Sequence, residues 1–286
     1  MGRRRGPSMA VIVSVAVILL LLVVAFGAYT VAGLAVASNR ISTADAAIKR
    51  AVSHQADFEK SMGSIASSFK GFNSANFDSQ QYKAAVDQFV QTSQSEGAAV
   101  NADLSKLDDA AGKLHDMQWL TLFSFGRLNS ESARLGHAQK ALAAAKTIAA
   151  DYLEDGQFFE AFAASIIDLD TLGSQSTANN FVAAAATVTQ LKGDVAKALA
   201  LAAAPGLPRA MQEFMADFQK LATDFESLFN AAVAGDEKGV NAARAAIDGD
   251  VAAMQGVSTA NVQSDVDAYY SPYISKYHQE MNLAAG

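Results

Sequence analysis

Histidine is the side chain most often recruited for chemistry, and here His54, His115, His137 and His278 stand singly. No His-Glu-x-x-His or Glu-x-x-His spacing occurs, so the helical signatures of a zinc hydrolase and of a di-iron bundle are both missing. Ligand geometry is demanding, and exposed helix-surface histidines account for all four. Asp151, Glu154 and Asp155 recur at three- and four-residue spacing, which puts three carboxylates on one helix face. Such a trio could hold a hard cation, and a solvated acidic face accounts for it equally. Asp168-Leu169-Asp170 with Gly173 has the beginnings of a calcium loop. Leu172 stands where an oxygen ligand is needed, however, and no Glu occupies the twelfth position. Asp248-Gly249-Asp250 lacks the remaining ligands too, and capping of helix ends is the reading for both.

The chain holds no cysteine, no Gly-rich phosphate loop and no Gly-x-Ser-x-Gly elbow. Disulfides, thiolate catalysis, cysteine-ligated metals and a lipid anchor on cysteine are therefore excluded. No phosphate-binding turn or strained nucleophile turn is marked either. The expectation is a protein that is not an enzyme and carries no cofactor and no metal.

Two aromatic groups remain. Trp119, Leu120, Leu122, Phe123 and Phe125 crowd a short stretch where a turn between helices is expected. Turns are normally polar, so this cluster either caps the end of a core or meets a partner or a membrane. Tyr269, Tyr270, Tyr273 and Tyr277 form the second group. Helical spacing puts three of them on one seam and leaves Tyr269 off it, as a candidate contact for a sugar or peptide ligand.

The elements that must position these residues begin with the N-terminus. Residues 1–8 carry Arg3, Arg4 and Arg5 and no acid, and residues 9–37 carry no charge at all. About twenty apolar helical residues cross a bilayer core, so residues 9–37 are expected to span it with some tilt. The arginines predict a cytoplasmic N-terminus and an extracytoplasmic remainder at the cell membrane. A cleavable signal peptide ending at Ala35-Val36-Ala37 is the alternative, and it would yield a secreted domain. The apolar run is longer than the usual signal core, which favours the uncleaved anchor. The start is also similar to that of a type IV pilin precursor, but Val11 stands where that family has Glu and Pro7 would follow the cut.

Beyond the anchor, nineteen basic residues stand against 29 acidic ones once Arg3, Arg4 and Arg5 are set aside, a net of −10. Such a surface repels nucleic acid and anionic headgroups. Pro7, Pro205, Pro208 and Pro272 are the only prolines, so nearly two hundred consecutive residues lack one. Helix formers with sparse breakers predict an all-α chain: a transmembrane helix continuing into an elongated antiparallel multi-helix bundle over 38–286. Its helices are expected at about 38–70, 78–118, 130–172, 177–203, 208–234, 237–255 and 259–282. Ile41, Ala44, Ile48, Ala51, Gln55, Phe58, Met62, Ile65 and Phe69 make a heptad-like seam in the first.

The layout resembles the extracytoplasmic helical bundles of bacterial and archaeal sensor proteins, which also rise directly from a membrane helix. That resemblance is one of architecture and carries no functional residue across. The function expected is a non-enzymatic interaction or scaffold module in the cell envelope, binding an envelope protein or itself. A small-ligand-binding sensory or accessory domain that signals through a partner is the alternative, with a metal-dependent or hydrolytic enzyme third.

Overall fold

The computed structural model describes residues 9–68, 78–116, 124–256 and 262–286, with side chains excepted at 9–27, 62, 64–68, 125, 262 and 263. Among these residues the chain forms seven α-helices and no strand. They are α1 (Met9–Ser68), α2 (Ser79–His115), α3 (Phe125–Thr177), α4 (Phe181–Leu201), α5 (Arg209–Ala234), α6 (Glu237–Gly256) and α7 (Val262–Ala285). The expected all-α class holds. Among the described residues no helix is long and apolar enough to cross a membrane. The side chains of the apolar run from residue 9 to 27 lie outside that description, as do Trp119, Leu120, Leu122, Phe123 and the side chain of Phe125. So do the turn expected at Gly71-Phe72-Asn73-Ser74 and the seam positions Met62, Ile65 and Phe69.

The helix ends follow local chemistry. Asp78 caps α2, its Oδ1 accepting from the backbone N–H groups of Gln80 and Gln81 at 2.9 Å each. Gly235 closes α5 in the left-handed conformation, φ 70°, and Asp236 Oδ1 then accepts from Gly239 N–H at 3.0 Å to start α6. One boundary moves. The loop expected at Gly173-Ser174-Gln175-Ser176 is instead the last turn of α3. Ser174, Ser176 and Thr177 turn their hydroxyls back onto the carbonyls of Asp170, Leu172 and Gly173, so these polar residues extend the helix rather than end it. The break comes at Asn179, with φ 57°, and Asn180 caps α4 by accepting from Ala183 N–H. Pro208 is the N-cap of α5, with extended ψ 147°, one residue before the first-turn position expected for it. Pro272 is carried inside α7.

The chain divides into two compact units. The first comprises residues 1–53, 103–141 and 280–286. Its core is built from Ala37, Ala44, Ile48 and Ala51 of α1, Leu107 and Leu114 of α2, Leu135 and Ala138 of α3, and Met281 and Ala284 of α7, all buried. Small residues on the facing sides let the helix axes approach closely. The seam read from sequence over Ala44, Ile48 and Ala51 is therefore a real core stripe.

The second unit comprises residues 54–102 and 142–279. Val188, Leu191 and Val195 of α4 pack with Met215, Phe218 and Ala222 of α5 and with Phe158 of α3. Phe162 joins this core to Tyr82 and Val86 of α2: it stacks on Phe158 at 6.0 Å and meets Phe214, Phe218 and Tyr82 edge-on. At Gly156 α3 packs tightly against Val90 and Phe89 of α2. A Cβ there would stand 2.6 Å from Val90 Cγ2, a β-branched group with little freedom to move. Gly156→Ala is therefore expected to lower stability by about 1–3 kcal/mol through overpacking, read as a lower midpoint in urea denaturation.

Candidate functional site

Four carboxylates are buried among the described residues: Asp103, Glu131, Asp151 and Asp155. An ionised carboxylate leaves water only with compensation, so each must be matched by a cation, by donors or by a proton. The two units answer that demand differently.

In the first unit the answer is arginine. Asp103, 2% exposed, accepts from Arg50 Nε at 2.8 Å. Glu131 receives Arg134 Nη1 at 3.1 Å on both oxygens. The same guanidinium reaches Asp45 of α1 at 3.4 Å, and its Nε donates to the Ala284 carbonyl of α7 at 2.9 Å. One side chain thus ties α1, α3 and α7. Asp45 is held below the usual carboxylate range by its hydrogen bond to Lys49 first; burial opposes this, and Arg134 adds to it. His137 faces Glu280 with Nδ1 2.6 Å from the carboxylate, a second link between α3 and α7.

In the second unit the answer is tyrosine. Asp155 is 6% exposed, and the Tyr270 hydroxyl donates to its Oδ2 at 2.9 Å. Its Oδ1 is buried without a partner. One helical turn earlier, Asp151 Oδ2 accepts from the Tyr269 hydroxyl at 3.1 Å. The rings form a cluster: Tyr152 meets Tyr270 edge-on at 4.8 Å, and Tyr269 lies 5.0 Å from Tyr270 and 5.9 Å from Tyr273. Burial drives the Asp155 carboxyl up to about 7; the Tyr270 hydrogen bond opposes this, and the charges of Asp151 and Glu154 reinforce it. Asp151 is also raised, by burial first. The Tyr269 phenol is pushed up to about 12 by burial and by Asp151, and Tyr270 is raised further by burial and Asp155. Tyr270 also fills the space over Gly206, a glycine with φ 89° where any side chain would collide with the phenol.

Two more carboxyls in this unit face other carboxyls. Asp168 on α3 has a buried, unpartnered Oδ2, lies within hydrogen-bonding reach of Asp194 on α4, and is raised to about 6 by burial and by Asp194. Asp250 on α6 is raised by burial and by Asp224 on α5.

Several sequence expectations change here. Asp151 and Asp155 are not part of a solvated face, because α7 covers them, and only Glu154 of the trio is exposed. Asp168-Leu169-Asp170 and Asp248-Gly249-Asp250 lie inside α3 and α6 rather than at their ends. Tyr269 is half-buried and already committed to Asp151. Of the histidines only His115 is exposed; His54, His137 and His278 are half-buried, and His278 Nδ1 lies 3.4 Å from Glu59. Among the described residues no three His, Asp or Glu side chains are placed to hold a metal ion. The arrangement can take up and release a proton near neutral pH. Its one sequence-level signal was missed: two acids four apart followed directly by Gly156, which admits a neighbouring helix onto the acidic face.

The flanks of the aromatic stretch are also fixed within the first unit. Arg40 of α1 donates to the Asp116 carbonyl at the end of α2. Ser124, Gly126 and Arg127 at the start of α3 share a cleft of about 240 Å³ with Leu34, Ala37, Ser38 and Ile41 of α1. Both flanks therefore sit against α1 just where its apolar run ends. No known protein family, curated protein or solved structure matches the chain.

Arg134→Met should cost about 3 kcal/mol, because it leaves Glu131 buried and uncompensated. Adding Glu131→Gln should recover most of that loss, a coupling measurable by denaturation of the single and double variants.

Proposed function

We propose that the chain is a membrane-anchored, extracytoplasmic helical bundle that works as a non-enzymatic interaction or scaffold module. In this reading residues 9–37 span the bilayer, residues 1–8 lie in the cytoplasm, and the two units stand outside, available to an envelope protein or to a second copy. The observation that carries it is the continuity of α1. A single helix runs from Met9 to Ser68, so the apolar run passes without a break into the buried stripe of Ala37, Ala44 and Ile48. A hinge-free junction of this kind holds a domain at a fixed distance from the membrane, which suits a scaffold. Val31 and Leu34, 68% and 52% exposed, extend the apolar surface of α1 toward its first arginine, Arg40.

The placement of Asp116 and of Ser124 to Arg127 against residues 34–41 supports a membrane role for the connection between α2 and α3. On this reading Trp119, Leu120, Leu122, Phe123 and Phe125 contact the interfacial region of the bilayer, where tryptophan is favoured. Sensing of a small ligand is a weaker reading, since Tyr269 already spends its hydroxyl on Asp151.

The natural absence of cysteine makes the topology directly testable. In intact cells a membrane-impermeant maleimide should label Ser271→Cys, and should label Ser8→Cys only after permeabilisation. Recovery of the chain in the soluble fraction, or the reverse labelling pattern, would overturn the anchor. Crosslinking in native membranes should capture an envelope protein or a second copy, whereas recovery of the monomer alone counts against the scaffold.

A further inference from the structure

We infer that a proton on Asp155 latches α7 to α3 within the second unit, and that loss of this proton loosens the N-terminal two-thirds of α7. The geometry comes first. Asp155 is over nine-tenths buried, one of its oxygens meets only the Tyr270 hydroxyl, and the other meets no donor. Among the described residues the groups facing it supply no cation. Its own helix presents Asp151, Glu154 and Tyr152, and α7 presents Tyr269 and Tyr270, with Asp267 acting on Tyr152. From α2 the neighbours at Gly156 are Val90 and Phe89. The connection between α4 and α5 offers only the Pro205 carbonyl, 3.5 Å from the Tyr270 oxygen.

These atoms form a chain that a single proton completes. With Asp155 neutral, its carboxyl donates to the Tyr270 oxygen, and the Tyr270 hydrogen turns to Pro205. With Asp155 ionised, the Tyr270 hydrogen must turn back to the carboxylate, Pro205 loses its donor, and a charge with one unpartnered oxygen is left buried beside Asp151 and Glu154. The sign follows. The latched state holds its proton up to about pH 7 and an opened, hydrated Asp155 only to the ordinary carboxylate range. The stabilisation is therefore fully present near pH 4 and is lost as pH rises through 7. The contact of Asp168 with Asp194, between α3 and α4, acts with the same sign, its carboxyl raised to about 6.

The test is hydrogen–deuterium exchange of the full-length protein, read on peptides from residues 264–279 at pH 5.5, 7 and 8.5 and corrected for the intrinsic pH dependence of exchange. Protection of these peptides should fall at least tenfold from the lowest to the highest pH in the natural protein. Asp155→Asn, a neutral isostere, should keep the protection at pH 8.5 and flatten the profile. Tyr270→Phe removes both the oxygen that receives the carboxyl proton and the donor to Pro205, so its protection at pH 5.5 should fall at least tenfold below that of the natural protein. Equal protection at all three pH values in the natural protein would overturn the latch. So would an Asp155→Asn profile as steep as the natural one, or Tyr270→Phe protection at pH 5.5 equal to that of the natural protein.

Discussion

A carboxylate taken out of water must be given a cation, a donor or a proton, and that demand organises the contacts that matter most in this chain. Asp103 and Glu131 are matched by Arg50 and Arg134, whose guanidinium forks supply charge and geometry together. Asp151 and Asp155 are matched by phenol hydroxyls, which supply one hydrogen each and no charge. The same problem thus has two solutions in one molecule. The first gives its acids a countercharge, and the second draws its most buried acid toward the neutral form.

Packing explains why these acids are buried at all. The cores are rich in alanine, with Ala44, Ala51, Ala138, Ala145, Ala163, Ala184 and Ala198 wholly enclosed. Helices that meet through such small side chains come close, and polar residues beside the seam are trapped with the apolar ones. Gly156 is one such close approach, and it stands directly after Asp155. The glycine that admits α2 onto this part of α3 therefore also helps to exclude water from its neighbour.

The sequence was legible where one helix's own periodicity decided the outcome. The stripe of α1, the Asp78 cap, the turn at Gly235-Asp236 and the α7 seam through Tyr270, Tyr277 and Met281 all follow from spacing and from local capping chemistry. It misled where residue type was ambiguous. The serines and threonine near the end of α3 can stop a helix or bond back onto it, and here they bond back. The acids of α3 were opaque for another reason. Whether Asp155 faces water depends on what lies over it, and the residues that cover it stand more than a hundred positions away on α7. The α2–α3 connection carries its aromatic signal in sequence alone, and only its flanks add to that.

Helix α7 belongs to both units, its residues up to 279 in the second and its last six, 280–285, in the first. Those last residues have moorings of their own: Met281 in the core, the Ala284 carbonyl on Arg134, and Glu280 against His137. None of these involves the tyrosines. A loosened stretch around Tyr270 would thus stay covalently joined to residues that are held independently of it. Its return would be a fast intramolecular step, so the helix is built as a strap that slackens and re-seats rather than as a part that is lost.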